Sequence, residues 1–336
     1  MITAATSQST SSIQPSSAGR EVLLEIRGLA VHFETRRGVA KAVNDVDLSL
    51  YKGERFGLVG ESGSGKSTLI LSLLNMIKPP GRIVHGSAKL NRRELTNLDG
   101  EEVRQLRLSE IAMIPQGAMN SMNPVMRIGD QLELAMAEHG GGEHSVRELM
   151  EMVGLSEATE RLYPHELSGG MKQRACIAQA ISLSPKLILA DEPTSALDVV
   201  VQRQIMQTLK NLQNRLHATV LLVGHDMGLM AQFAERVGIM YGGELVEVGE
   251  VDKIFVEPKH PYTRLLIDSI SSFETKGDFR GIPGNAMSLL NPPSGCHFHP
   301  RCPNKMDKCQ ERPPTLKEIA PDHTASCLLY EEGENS

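Results

Sequence analysis

The sequence has few aromatic side chains and no long apolar run. Its 336 residues include no Trp, 5 Tyr and 7 Phe. This scarcity argues against a platform that stacks the bases of single-stranded nucleic acid, and against a protein that binds carbohydrate by ring stacking. Apolar runs such as 219–223 have only the length of a strand, whereas a spanning helix needs about 18 apolar residues. The sequence therefore predicts no membrane-spanning helix.

The sequence also has no excess of positive charge. Lys and Arg total 35 against 41 Asp and Glu, which gives a formal net charge of −6. Proteins that capture DNA or RNA electrostatically present an excess of cationic side chains, so we expect no nucleic-acid partner. The first 20 residues are rich in Ser and Thr and lack the apolar stretch of a secretory signal. We expect residues 1–20 to form a disordered tail of a cytosolic protein, whose 5 Cys are thiols or metal ligands rather than disulfides.

The apolar pattern predicts an α/β protein. Alternation over 23–50 indicates an antiparallel β opening, and later strands alternate with helical spacing. Such alternation predicts a mainly parallel sheet whose carboxyl ends carry the site. The Met-rich segment 117–165 is predicted to form a helical insert in a first domain over 21–250. Pro, Gly and Cys punctuate residues 251–336, the C-terminal extension, which we expect to be a separate small module.

Residues 60–67, GESGSGKS, form a candidate phosphate loop. Two glycines surround four residues and are followed by Lys66 and Ser67, between a predicted strand and a predicted helix. Backbone N–H groups of such a loop surround phosphate oxygens, the lysine reaches the β and γ phosphates, and the serine ligates Mg²⁺. A glycine-rich turn that binds nothing is the alternative, which the flanking elements disfavour. The predicted nucleotide ligands are Gly60, Ser62, Gly63, Ser64, Gly65, Lys66, Ser67 and Thr68.

Two adjacent carboxylates follow the apolar strand at 187–190. Asp191 suits the Mg²⁺ shell, and Glu192 suits the orientation and deprotonation of an attacking water. The alternative is that the pair caps the following helix. A kinase that transfers phosphate has less use for the second carboxylate, so the pair favours hydrolysis.

The segment 167–174, LSGGMKQR, places Ser168, Gly169 and Gly170 at a predicted helix start. These residues are suited to a second anion site. Ser168 is equally suited to a simple N-cap role. The segment alone does not decide between the two.

The phosphate loop, LSGGMKQR, LADEP, SALD and GHD, in this order over 23–249, resemble the ATP-binding cassette (ABC) ATPases. This resemblance implies a RecA-like parallel-sheet core with an antiparallel β subdomain and a helical insert, and it implies ATP and Mg²⁺ as ligands. It implies that Glu192, His225 and Gln116 are catalytic, and that Gln116 also contacts Mg²⁺ and the γ-phosphate. Ser195 and Asp198 match the loop that couples opposed cassettes.

Further implications of the resemblance concern adenine and a second cassette. Phe33 is the candidate for stacking on adenine, with packing in the core as the alternative. In this family two cassettes pair head to tail, so Ser168 and Gly170 would close over ATP held by the partner's phosphate loop.

Two segments of the C-terminal extension, 259–270 (KHPYTRLLIDSI) and 292–309 (PPSGCHFHPRCPNKMDKC), resemble the ATPase subunits of oligopeptide and dipeptide permeases. This likeness implies a peripheral subunit on the cytoplasmic face of the inner membrane. Its expected partners are two membrane permease subunits, a second ATPase of different sequence and an extracytoplasmic solute-binding protein. Peptide is the expected cargo, and oligosaccharide is the alternative. Met119, Met122 and Met126 either line a groove for a membrane subunit or pack in the core.

Four of the cysteines, Cys296, Cys302, Cys309 and Cys327, lie near the end of the chain with 5, 6 and 17 residues between them. These spacings lack the tight pairs of zinc ribbons. The resemblance to permease ATPases implies a [4Fe–4S] cluster held by the four thiolates. Zinc and unligated thiols remain alternatives, because spacing alone does not choose the metal.

Two other functions compete with the importer. One is a soluble ABC ATPase that acts on nucleic acid or ribosomes, for which this chain shows no coiled-coil insertion, second cassette or basic surface. The other is a regulatory cassette that binds ATP without hydrolysing it, which the presence of Glu192, Gln116 and His225 disfavours.

Overall fold

The computed structural model describes residues 19–117, 121–195, 197–274 and 281–331. Its strands are β1 (Val22–Thr35), β2 (Gly38–Tyr51), β3 (Arg55–Val59), β4 (Gly81–Leu90), β5 (Arg93–Glu94), β6 (Ile111–Ile114), β7 (Leu187–Asp191), β8 (Thr219–Gly224), β9 (Arg236–Tyr241), β10 (Glu244–Glu250), β11 (Lys317–Ala320) and β12 (His323–Ala325). Its α-helices are α1 (Lys66–Leu73), α2 (Gly100–Leu106), α3 (Ile128–Ala137), α4 (Val146–Met152), α5 (Gly169–Ile181), α6 (Val199–Leu216), α7 (Met227–Phe233), α8 (Val251–Val256), α9 (Pro261–Glu274) and α10 (Lys308–Glu311). Within the described ranges no helix is long and apolar enough to cross a membrane.

The chain opens with an antiparallel sheet in the order β2-β1-β4-β5. Leu24 pairs with Leu50 and Ile26 pairs with Leu48, and all four side chains are buried. Residues two apart on a strand face the same side, so the apolar alternation buries one face of this sheet. The predicted antiparallel opening is confirmed.

The larger sheet has the order β11-β12-β10-β9-β3-β8-β7-β6. Its central strands β9, β3, β8, β7 and β6 are parallel. All residues of β7 and β8 are buried, as expected of strands covered on both faces. Parallel strands end at one edge, so the residues that follow β3, β7 and β8 are brought together there. The predicted parallel core is confirmed.

The described residues between β6 and β7 form α3, α4 and α5 with two short 3₁₀ helices, Glu157–Arg161 and Pro164–Glu166. Ser145 and Glu148 form a capping box that starts α4. Met122 is buried in the main core, whereas Met126 is half-buried. Met119 lies outside the described residues.

The C-terminal extension differs from the separate module that the sequence predicts. Its strand β12 pairs with β10 through Glu247–Ala325 and Val248–Thr324, and β11 then pairs with β12. The extension therefore lengthens the main sheet. The physical reason is that the outer edge of β10 offers unpaired backbone groups, which a further strand satisfies.

Candidate nucleotide site

A cavity of about 630 Å³ lies at the carboxyl edge of the main sheet. Its lining is Ala42, Ser62, Gly63, Ser64, Gly65, Lys66, Ser67, Thr68, Gln116, Glu192, His225 and Leu289. The structure thus brings most of the predicted ATP ligands and all three predicted catalytic residues to one cavity.

Glycine is required at both ends of the phosphate loop. A Cβ on Gly60 would lie 2.2 Å from the carbonyl oxygen of Met240, and one on Gly65 would lie 2.0 Å from that of Ala42. Gly65 also has φ of 102°, which L side chains rarely adopt. The loop therefore packs against β9 and β2 at distances that leave no room for a side chain.

Lys66 is buried at the start of α1 and is held by the phosphate loop itself. Its Nζ donates to the carbonyl oxygens of Gly60 at 2.7 Å and Glu61 at 2.9 Å. Burial lowers the pKa of Lys66, and the charges of Glu192 and Asp191 oppose that shift. The ammonium is thereby placed beside the loop, where phosphate oxygens can replace the carbonyls as its acceptors.

Ser67 and Asp191 join the phosphate loop to β7. The Ser67 hydroxyl donates to Asp191 Oδ1 at 3.0 Å. Burial raises the pKa of Asp191, and the Ser67 hydrogen bond opposes this. Hydroxyl and carboxylate oxygens are the hard ligands that Mg²⁺ prefers, so this pair fits the predicted Mg²⁺ position.

Glu192 lies between the two other predicted catalytic side chains. Gln116 Nε2 donates to Glu192 Oε2 at 3.0 Å, and His225 Nδ1 lies 3.2 Å from Oε1. Glu192 has φ of 43°, which is unusual for a residue with a side chain. Its N–H donates to the carbonyl oxygen of Val223 in β8, which stabilises this backbone conformation.

Phe33 is not part of the cavity lining. It is half-buried, and its ring lies beside Ile77 at Gly81, which favours the packing alternative over adenine stacking. Sequence reasoning missed two residues that do line the cavity, Ala42 and Leu289. Leu289 follows the phosphate loop by more than 200 positions in an irregular stretch, so no periodic signal marked it.

Ser168, Gly169 and Gly170 lie outside this cavity. Ser168 is exposed and caps α5, with its Oγ accepting from the N–H of Met171 at 3.3 Å. A Cβ on Gly170 would meet Val201 Cγ1 at 2.8 Å. The N-cap role of Ser168 is confirmed, and its exposed position leaves it open to a second chain. Asp198 likewise caps α6, accepting from two backbone N–H groups at 3.0 Å.

The four C-terminal cysteines approach one another without forming a metal site. The N–H of Cys296 donates to the carbonyl oxygen of Cys309 at 2.8 Å, and burial raises the pKa of Cys296 to about 12, with the other three cysteines adding to the shift. Among the residues that the structure describes, no three His, Cys, Asp or Glu side chains are arranged to hold a metal ion. The prediction of an iron–sulfur cluster or zinc at Cys296, Cys302, Cys309 and Cys327 is therefore not supported by the described residues.

A phosphate loop, a serine hydrogen-bonded to an aspartate and a glutamate held at a strand end are the parts of a nucleoside triphosphate hydrolase. The ABC transporter family matches residues 43–195. The family described as "Oligopeptide/dipeptide transporter, C-terminal region" matches residues 246–309. The chain belongs to the ATP-binding subunits of oligopeptide and dipeptide ABC transporters.

Relatives of known name support this assignment over nearly the whole chain. The oligopeptide transport ATP-binding protein OppD of Salmonella typhimurium is 42% identical, over 91% of this chain and 93% of its own length. AppD of Bacillus subtilis, also an oligopeptide transport ATP-binding protein, is 41% identical over 92% and 97%. A solved dimeric ATP-binding cassette, MJ0796 bound to ADP and Pi, is 28% identical with a TM-score of 0.61, and the match covers 68% of this chain and 99% of that one.

Proposed function

We propose that this chain hydrolyses ATP to drive peptide import, with Glu192 as the general base. The observation that carries the proposal is the position of Glu192 between Gln116 and His225, in the cavity that also holds Lys66 and Ser67. The domain that performs this reaction comprises residues 21–250.

The reaction requires a water aligned with the γ-phosphorus of ATP. Glu192 accepts a proton from that water while the water oxygen bonds to the γ-phosphorus. The bond from the γ-phosphorus to the bridging oxygen breaks, and ADP leaves. Lys66 stabilises the charge on the phosphate oxygens, and His225 orients Glu192 and contacts the γ-phosphate. Ser67, Asp191 and Gln116 would hold Mg²⁺, which would supply further charge neutralisation.

ATP hydrolysis becomes transport only through partners. Relatives named for oligopeptide and dipeptide transport support peptide as cargo and imply two membrane permease subunits and an extracytoplasmic binding protein. We propose that the chain is peripheral on the cytoplasmic face of the inner membrane. Identification of the ligand that the binding protein carries tests the alternative that the cargo is an oligosaccharide.

A second cassette, of the same or a different sequence, completes each ATP site in this proposal. Its support is that Ser168 is exposed and lies outside the cavity of its own chain. Ser168 and Gly170 would then contact the nucleotide bound by the partner cassette. ATP would stabilise the closed pair, and hydrolysis would reopen it.

A metal centre in the C-terminal extension is a separate proposal. Its support is the resemblance to permease ATPases and the mutual approach of the four cysteines. It requires the side chains to reorient, since the described residues form no ready site. Anaerobic purification with iron, sulfide and zinc analysis tests it: about four iron and four sulfide per chain support a cluster, and about one zinc supports the alternative. A preparation with neither metal and four freely alkylated thiols rejects both.

Lys66→Ala tests the proposed ATPase directly. Because Lys66 is the buried cation of the phosphate loop, we expect loss of MgATP binding and of hydrolysis by the complex assembled with its membrane subunits. Lys317→Ala, at an exposed position of β11, is the matched control and should leave both unchanged. Wild-type binding affinity in the Lys66→Ala chain would overturn the proposal.

A further inference from the structure

Two motifs of the C-terminal extension, HPY at 260–262 and HPRCP at 299–303, meet at one residue of the phosphate loop. The guanidinium of Arg301 donates to both oxygens of the Glu61 carboxylate, at 2.7 and 2.9 Å. The Arg301 side chain is 7% exposed and that of Glu61 is 26% exposed. Paired contacts of this kind fix both distance and orientation.

The backbone of Glu61 is held by the other motif. Its N–H donates to the hydroxyl oxygen of Tyr262 at 3.0 Å. Tyr262 is fully buried, and its ring packs against Tyr241 and Phe298 with centroids 4.7 and 5.3 Å away. A buried aromatic in such a cluster has little freedom, so its hydroxyl is a fixed acceptor for the loop.

Glu61 in turn contacts Lys66, the cation of the phosphate loop. Its carbonyl oxygen accepts from Lys66 Nζ at 2.9 Å. The Glu61 carboxylate also places a negative charge in the loop that must receive a triphosphate. Arg301 neutralises that charge, so the ion pair both shapes the loop and removes a repulsion.

Arg301 also holds the segment that carries Leu289. Its Nε donates to the carbonyl oxygen of Pro283 at 2.8 Å. Leu289 lines the nucleotide cavity, and its carbonyl oxygen accepts from the N–H of Lys41 at 3.3 Å. The extension therefore reaches the cavity through the phosphate loop and through one wall.

We propose that Arg301 and Tyr262 are positioning residues of the phosphate loop, which hold Glu61 so that the C-terminal extension sets the affinity of the cassette for the triphosphate of ATP. This inference rests on the proposed ATPase function. It assigns a function to residues of two motifs that otherwise indicate only family membership.

The test measures binding of fluorescent ATP, ADP and AMP analogues to the full-length chain with Mg²⁺. We expect Arg301→Ala to weaken ATP binding by about tenfold, since one charge-assisted pair is lost and a carboxylate is left uncompensated. The loss should shrink from ATP to AMP, because the repulsion acts on the phosphates. Adding Glu61→Gln to Arg301→Ala should restore most of the affinity, and Arg301→Lys should retain part of it.

Arg312→Ala is the matched control, because Arg312 belongs to the same extension but pairs with Glu331. It should bind all three nucleotides like wild type. Tyr262→Phe keeps the buried ring and removes only its oxygen, so it serves if Arg301→Ala does not fold. We expect it to weaken ATP binding by about threefold, the loss of one neutral hydrogen bond.

The outcomes separate this inference from the proposed function. A wild-type chain that binds no MgATP would overturn both. A wild-type chain that binds MgATP, with folded Arg301→Ala and Tyr262→Phe chains that bind it equally well, would overturn only the positioning role. Equal losses for ATP and AMP, with no rescue by Glu61→Gln, would also overturn it, because they indicate general damage to the fold.

Discussion

Oε1 of Glu192 lies 3.2 Å from Nδ1 of His225, although 33 positions separate the two residues in the chain. The parallel pairing of β7 with β8 produces this proximity, since each residue directly follows its strand. The sheet therefore fixes the separation of the proposed base and the residue that orients it.

Substitution of Glu192 by Gln should abolish turnover and preserve ATP binding. The amide keeps the shape of the side chain but cannot accept the proton of the attacking water, so we expect hydrolysis by the assembled complex to fall by about 10²-fold or more. Steady-state phosphate release measures this, with nucleotide binding assayed in parallel. Glu133→Gln, on the exposed face of α3, is the control. Unchanged hydrolysis in Glu192→Gln would rule out Glu192 as the base.

Ser168→Arg should distinguish the function of the segment 167–174 from that of the phosphate loop. Ser168 is outside the cavity of its own chain, so the variant should bind MgATP normally yet lose hydrolysis in the assembled complex. Ser145→Arg is matched to it, because Ser145 is also an exposed serine that caps a helix. Loss of a cap costs about 1 kcal/mol in both variants. Equal hydrolysis by the two variants would contradict a role for Ser168 beyond capping.

Gly60→Ala should damage the phosphate loop and weaken ATP binding. The added Cβ would lie 2.2 Å from the carbonyl oxygen of Met240, so the loop or β9 must shift. We expect ATP affinity to drop by about tenfold or more, together with a lower unfolding temperature. Gly100→Ala adds its Cβ in open space at the start of α2 and should change neither. Normal ATP binding by Gly60→Ala would mean that the close approach is not needed.

Acid should weaken the fold through His260. Burial lowers the pKa of His260 from 6.5 to about 4, and the charge of Glu247 opposes this only in part. The unfolded chain therefore takes up a proton at a higher pH than the folded chain does. The stabilising contribution is complete above pH 6.5 and is lost as the pH falls toward 4.

Urea unfolding at pH 7.5 and pH 5 measures this effect. Relative to a His260→Gln chain, the wild type should lose about 2 kcal/mol of unfolding free energy between the two pH values. The exposed His165 provides a control, since His165→Gln should leave the wild-type pH dependence intact. An identical pH dependence for wild type and His260→Gln would exclude the imidazole of His260 as the cause.

The sequence predicted the residues at the carboxyl edge of the main sheet well, because the motifs that mark them are short and local. The phosphate loop is recognised from the strand before it and the helix after it. The two carboxylates are recognised because they directly follow an apolar strand. Parallel pairing then brings Gln116, Glu192 and His225 together without further information. Roles assigned by motif position, such as that of Ser168, stay predictions until a second chain is present.

The sequence predicted the family of the C-terminal extension, as the match over residues 246–309 confirms, but not its contacts, because these join residues far apart in the chain. Arg301 and Glu61 are 240 positions apart, and neither has a neighbour whose pattern marks the pair. Leu289 lies in an irregular stretch, where periodicity carries no signal. Phe33 does not line the described cavity, and its adenine-stacking role stays a prediction, because an aromatic on a strand fits packing and ligand stacking equally well in the sequence.

The pairing of β12 with β10 bears on how the chain can be shortened. A truncation after residue 311 would remove β11 and β12 and expose the backbone N–H and C=O groups along the outer edge of β10. An uncovered strand edge is a template for pairing with another molecule. Such a fragment, although it keeps the phosphate loop, Glu192 and Arg301, should self-associate rather than behave as a free-standing cassette.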